Sequence, residues 1–286
     1  MPQQNSHELN TDKNKNKAAR WLSVLVIAAF IISLLPVLYL SFTDVATGDD
    51  YGYGAATRAA WLGTHSLQAV FTAAADGVRG TYASWQGTWF SVFMFALNPE
   101  VFNAHAYWIV PWLVLTLQIC SVLTFTHHFL VIRCGMDGLT WVSVSCLLLM
   151  AEIQCAMSPQ SAIFWYVGTT HYMLPFAMAL FAVVLGDRFL TLQDGTRGAM
   201  IRDYVLLLIL QTLLGGASYQ AALLVPLTLT VILLMKRAAA GRQKTDVSHA
   251  VFRRECALLI PFIAELAGLI ISAKAPGNKA RGGENF

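Results

Sequence analysis

The chain alternates long apolar runs with short polar joints, and those runs predict its elements. Residues 21–41 form the first run, with nothing charged inside it; further runs cover 106–132, 139–157, 170–187, 202–214, 217–235 and 252–272. A helix needs about 17–25 apolar residues to cross a bilayer. The pattern therefore predicts an all-α polytopic integral membrane protein with about seven transmembrane helices. Two stretches between the first and second runs read differently. Residues 55–80 place Trp61, Leu62, Leu67, Val70 and Phe71 at amphipathic spacing, and 82–97 is apolar but short, interrupted by Gln86 and Gly87. Both are expected as helices lying on or dipping into the membrane surface.

Charge sets the expected direction of each run. Residues 1–20 are polar and end with Lys13, Lys15, Lys17 and Arg20, which predicts a disordered tail held in the cytoplasm. The basic loop 236–254, with Lys236, Arg237, Arg242, Lys244, Arg253 and Arg254, belongs on the same side, as do loop 188–202 and Arg133. Counting the runs back from 236–254 places 42–105 wholly outside as one large loop. Residues 21–286 then form a single helical domain. At 1.5 Å per residue the run 202–214 covers only about 20 Å of a roughly 30 Å core. The turn Gly215-Gly216 with Ser218, Tyr219 and Gln220 is thus expected below the outer surface, where irregular backbone must be buried or line a watery cavity. The sequence stops at Phe286, a few residues into an outer loop, so the reading allows for a fragment.

Composition narrows the class. The chain is 56% hydrophobic and only 12% charged, half the roughly 25% charged content of soluble domains. A net charge of +3 is too small to suggest a nucleic-acid partner. The five cysteines lack metal-ligand spacing, so neither a zinc site nor a disulfide framework is expected.

Candidate chemistry gathers in the outer segments. Gly48-Asp49-Asp50-Tyr51-Gly52-Tyr53-Gly54 follows the first run directly. Neighbouring carboxylates repel, which raises one pKa towards base-competent values, or they offer a divalent cation such as Mg or Mn two oxygens. A solvated acidic loop accounts for the same residues. Also outside are Tyr82, Trp85 and Trp89, Gln160, His171, Tyr219, Gln220 and Asn278, with the cations Lys274, Lys279 and Arg281. Cations there run against the positive-inside trend and suit an anion such as a lipid phosphate. The aromatic rings serve equally as interface anchors or as sugar-stacking faces. Glu152 and Glu265 fall inside spans, where a carboxyl faces a cavity or a partner such as Gln. His127 and His128 sit at an inner helix end, where an interfacial role is expected.

The Asp-Asp pair after the first span, the long outer loop and the multi-helix body resemble the GT-C superfamily of polytopic glycosyltransferases. The segments concerned are Asp49 to Gly54 ("DDYxYG"), Tyr82 to Trp89 ("YxxWxGxW"), Ser158-Pro159-Gln160, the Gly-Gly turn and Pro276-Gly277-Asn278-x-x-Arg281. The resemblance spans residues 21–281. It implies transfer of a sugar from a polyprenyl-phosphate donor to a glycan or lipid acceptor on the outer face, usually with inversion. It also implies that Asp49 or Asp50 acts as base or helps hold a metal. The substrate-binding set expected around them is Tyr51, Tyr53, Tyr82, Trp85, Trp89, Gln160, His171, Tyr219, Gln220, Asn278, Lys279 and Arg281. Two positions depart from the pattern: Gln220 stands where an acidic residue is frequent, and Thr88 where arginine is common. A flippase or transporter of lipid-linked sugars using Glu152 and Glu265, or an inactive membrane scaffold, are the other classes this sequence allows.

Overall fold

The computed structural model describes residues 2–191, 197–242 and 249–282. Lys244, the middle of the 188–202 loop and Phe286 lie outside the described residues. The elements are helical, with no strand among the described residues: α1 (Pro2–Ser41), α2 (Asp49–Thr64), α3 (Leu67–Ser84), α4 (Trp89–Phe95), α5 (Ile109–Thr126), α6 (Gly138–Gln154), α7 (Tyr166–Gly168), α8 (Leu174–Thr191), α9 (Arg197–Gly215), α10 (Tyr219–Arg242), α11 (His249–Ala257), α12 (Leu259–Ala273) and α13 (Gly277–Gly282). Wide helical turns at His127–Arg133 and Thr169–Met173 extend α5 and join α7 to α8.

Among the described residues, six helical segments are long and apolar enough to cross a membrane: Lys17–Ser41, Ile109–Arg133, Tyr166–Thr191, Arg197–Gly215, Tyr219–Ala240 and Val251–Ala273. Their outward faces are rich in Leu, Ile and Val, among them Leu25, Ile32 and Leu35 of α1, Leu223, Leu227 and Leu234 of α10, and Ile263 of α12. So much contiguous exposed apolar surface requires lipid rather than water around it. The chain is a multi-pass membrane protein. The seventh expected span is α6, at 17 residues the shortest apolar helix of the set. It runs parallel to α1: Ser143 Oγ donates to Ser23 Oγ at 3.2 Å near one end, and Gln154 Nε2 to the Ser33 carbonyl at 3.0 Å near the other.

Two apolar cores meet side by side. One joins α1, α5 and α6 through Phe30, Val114, Leu115, Val122, Cys146 and Leu149. The other joins α8, α9, α10 and α12 through Met178, Ala182, Leu207, Leu214, Val225 and Leu229. Helix α5 packs on α8 and links them.

Several boundaries differ from the sequence reading. The helix of α1 begins at Pro2, so the backbone of 2–20 continues the span where disorder is expected. No Gly or Pro interrupts residues 3–35, and extending an existing helix avoids the cost of a new nucleus. Helix α9 starts at Arg197 and has 19 residues, so it is not a short half-span. Residues 197–201 read as part of the basic loop in sequence, yet they are helical, and the Asp203 that follows is buried and neutralised by Arg188 and Arg202. The Gly215-Gly216 turn is nevertheless buried, because α12 and Trp89 cover it. The last expected span, 252–272, is two helices broken at Leu258. Pro261 cannot donate to the Ala257 carbonyl four residues earlier; the Tyr204 hydroxyl donates to that carbonyl instead, at 3.0 Å.

The segment between α1 and α5 starts and ends at one end of the bundle, where Trp112 Nε1 donates to Ser41 Oγ at 3.0 Å. Its helices differ from the expected 55–80 and 82–97. The first begins at Asp49 and stops at Thr64, where His65 turns left-handed (φ 50°) and Ser66 caps α3. The second expected helix is split: α3 runs on to Ser84, 85–88 is irregular, and α4 has only seven residues. Thr57 Oγ1 donates to the Ala96 carbonyl at 2.6 Å and holds α2 against the end of α4.

Candidate functional site

The Asp pair occupies the first turn of α2, not a loop. Helix N-termini favour carboxylates, but successive residues point about 100° apart around a helix, and the two side chains separate accordingly. Asp50 is fully buried and Asp49 exposed. Asp50 Oδ2 accepts from the Thr47 amide at 3.2 Å and, in a short bond, from the Tyr107 hydroxyl; Oδ1 accepts from the Val167 amide at 3.1 Å. The Tyr166 amide in turn donates to Tyr107 Oη at 2.9 Å, and Asn98 Nδ2 to the Asp50 carbonyl at 3.0 Å. Amides at the start of a helix have no intrahelical acceptor; Asp50 and Tyr107 supply acceptors for the first two of α7. One carboxylate thus ties α2 to the starts of α5 and α7, and it is fully buried.

Burial pushes the Asp50 pKa up; the bonds from Tyr107, Thr47 and Val167 oppose this, and the charge of Asp49 adds to it. Burial also moves the Tyr107 phenol well above its ordinary range, with its bond to Asp50 adding, so it stays a donor. Asp44, half-buried nearby with one carboxylate oxygen that has no partner among the described residues, is raised to about 7, by burial first and also by the charge of Asp50.

The largest cleft at this end has a volume of about 580 Å³ and is lined by Thr88, His171, Tyr219, Leu269, Ala273, Asn278 and Arg281. These come from the irregular 85–88 segment, the turn before α8, the start of α10, the end of α12, and α13. Close backbone approach brings them together. A Cβ on Gly87 would fall 1.9 Å from the Ser272 carbonyl, and one on Gly216 would fall 2.0 Å from the Trp89 ring. Only glycine permits either contact. Asn278 staples the joint: its Oδ1 accepts from the Gly87 amide at 3.1 Å and its Nδ2 donates to the Ser272 carbonyl at 2.8 Å. Tyr82 adds a bond to the Ile271 carbonyl at 3.0 Å.

Arg281 donates to Gln86 Oε1 at 2.7 Å and its guanidinium lies 5.5 Å from the centre of the Trp85 ring. Among the described residues it has no carboxylate partner. Asp49 and Arg281 both act electrostatically on Tyr53, whose phenol burial and Asp49 raise and Arg281 lowers, so the three share one neighbourhood. Thr88 is buried and its hydroxyl has no hydrogen-bond partner. Its only sequence signal is that it stands where the resembling pattern has arginine. Tyr107, Asn98 and Ser91, which organise the site, give no sequence signal.

Other expected site residues fall elsewhere. Tyr51 is exposed beside a separate recess of about 200 Å³ that Asp50, Arg58, Asn98 and Glu100 also line. Gln160 is exposed in the turn before α7. Gln220 accepts from Ser218 Oγ at 2.8 Å, and Trp89 packs on Gly216 outside the cleft lining. Lys279 is exposed on α13. The expectation of a divalent cation between Asp49 and Asp50 does not fit this geometry. The two carboxylates diverge, Asp50 is occupied by protein donors, and no group of three His, Cys, Asp or Glu side chains converges among the described residues. Glu265 is buried between α9 and α12 beside Gln211, and Glu152 borders a small void with Gln118; both lie away from the cleft lining.

Polar side chains also gather at the opposite end of the bundle. Asp187 meets His128 Nε2 at 2.7 Å, Arg133 Nε at 2.9 Å and Lys236 Nζ at 2.7 Å; Asp203 meets Arg188 Nε at 2.8 Å and Arg202 Nε at 3.0 Å. His128 is therefore a buried hydrogen-bond partner of Asp187, while His127 is exposed and packs on Trp141.

Compared with known proteins, the chain matches no family model, no curated protein and no solved structure.

Proposed function

We propose that this protein is a membrane glycosyltransferase that moves a sugar from a polyprenyl-phosphate donor to a glycan or lipid acceptor at the outer face of the plasma membrane. The observation that carries this reading is the cleft holding Arg281, a cation with no described carboxylate partner, beside an unpartnered threonine hydroxyl and close to the exposed Asp49. A departing lipid phosphate needs a cation to receive its growing charge, and Arg281 has the fork geometry for phosphate oxygens. Asp49 is the member of the pair left free to accept hydrogen bonds from sugar hydroxyls, while Asp50 holds α2 in place. The orientation proposed rests on the basic residues: Lys17, Arg20, Arg133, Arg188, Lys236 and Arg237 lie towards the end opposite the cleft, which supports a cytoplasmic position for that end.

Mass spectrometry of surface glycans from cells with the gene intact and deleted tests the proposal. Loss of one sugar on deletion is the expected result; unchanged glycans would remove it. Transport of lipid-linked sugars is the second reading, favoured by the buried Glu265, whose oxygens have no hydrogen-bond partner. Dependence on a proton gradient with no new glycosidic bond would select it.

A further inference from the structure

The cleft also bears on which group takes the acceptor's proton. Of its lining residues Thr88, His171, Tyr219, Leu269, Ala273, Asn278 and Arg281, one side chain alone has a basic lone pair suited to neutral pH, the imidazole of His171. Asp50 is enclosed and Asp49 is not part of the lining. The orientation of the ring is fixed by its neighbours. His171 Nδ1 lies 3.2 Å from Ser91 Oγ, and Ser91 spends its single hydroxyl proton on the Ala217 carbonyl at 3.0 Å. Ser91 is fully buried, so leaving that carbonyl without a donor would be costly. Ser91 must therefore act as acceptor towards the ring, which puts the imidazole proton on Nδ1. Nε2 then carries the free lone pair, and it has no partner among the described residues. Phe95 and Tyr172 hold the ring edge-on, with centroids 5.9 Å and 4.8 Å away.

We infer that His171 Nε2 is the proton acceptor of this cleft, activating a hydroxyl of the acceptor for attack on the donor sugar, a role that rests on the transferase reading. The hydroxyl proton passes to Nε2, and the oxygen's electron pair forms the new bond to the anomeric carbon. The bond from that carbon to the phosphate oxygen breaks, and its electron pair leaves on the phosphate facing Arg281. The Ala217 carbonyl and Ser91 are the positioning part: they select the tautomer of His171 and take no proton themselves.

The test is complementation of the deletion strain, read as the abundance of whichever sugar the deletion removes. His171→Asn keeps a donor in the place of Nδ1, so the bond to Ser91 survives, and deletes the lone pair of Nε2. It is expected to lower the product about 100-fold or more with the protein present at wild-type level and melting temperature. His171→Ala should regain product when imidazole is supplied to the cells, a recovery that a purely structural histidine would not give. Ser91→Ala frees the tautomer and should lower product about 10-fold, the scale of losing one orienting bond. Should His171→Asn fail to accumulate, His171→Gln, which offers a neutral amide in place of Nε2, carries the same expectation. Full product from a folded His171→Asn or His171→Gln variant would overturn the assignment and leave the transferase reading standing. Glycans unchanged by the deletion itself would remove both.

Discussion

The two ends of the helical bundle use charge in opposite ways. At one end the buried carboxylates among the described residues are paired with cations: Asp187 with Arg133 and Lys236, beside the His128 ring, and Asp203 with Arg188 and Arg202. At the other end the buried carboxylate, Asp50, is held by neutral N–H and O–H donors, and among the described residues the cation Arg281 meets an amide oxygen and an indole ring but no carboxylate. Charges taken out of water are tolerated only when paired and hydrogen-bonded. The paired end is therefore a closed clamp, which holds the ends of α5, α8, α9 and α10 on that side together. The cleft end satisfies its carboxylate without cations and leaves a positive charge over for a ligand.

Breaking the clamp gives the largest expected effect. Asp187→Ala leaves Arg133 and Lys236 crowded without their shared anion. It should cost about 3 kcal/mol, seen as a large fall in melting temperature in detergent or failure to accumulate; a melting temperature equal to wild type would mean the cluster is not a clamp. The Asp pair sharpens the contrast next. Asp50→Ala strands the Tyr107 hydroxyl and two amides and should cost about 2 kcal/mol, whereas the exposed Asp49→Asn should stay within about 0.5 kcal/mol. Equal effects from the two variants would contradict their assigned places.

A smaller effect concerns pH. The folded state raises Asp44 from 3.8 to about 7, so the fold prefers its protonated form. Stability from this group is fully present below pH about 4 and is lost as pH rises through about 7. Between pH 5 and 8 the melting temperature should fall more steeply for wild type than for Asp44→Asn; parallel profiles would show that Asp44 does not titrate there.

The spans were legible in the sequence because lipid demands continuous apolar surface, and seven apolar runs can be counted directly. What was not legible depended on residues far apart in the chain. The start of α9 was hidden because 197–201 read as part of a basic loop, while the Asp203–Arg188 pair that anchors this end of α9 to α8 is not visible in sequence. The helix expected over 82–97 breaks at 85–88 because Gly87 lies against Ser272, a contact nearly two hundred residues away in sequence. In the site, His171, Tyr219, Asn278 and Arg281 could be read as polar residues outside the membrane, and the structure gathers them in one cleft. Asp50 could not be separated from Asp49, since its burial depends on Tyr107 and on the Val167 amide. Gln160 and Gln220 carried the right chemistry in the wrong place.

Retention of polyprenyl phosphate by the purified protein, measured by native mass spectrometry, tests the central claim most directly. Wild type, Arg281→Gln and Arg202→Gln would be compared, one substitution at each end. The account predicts that Arg281→Gln weakens retention about 10-fold or more while Arg202→Gln binds as wild type does. Undiminished retention by Arg281→Gln, or loss in Arg202→Gln instead, would contradict it.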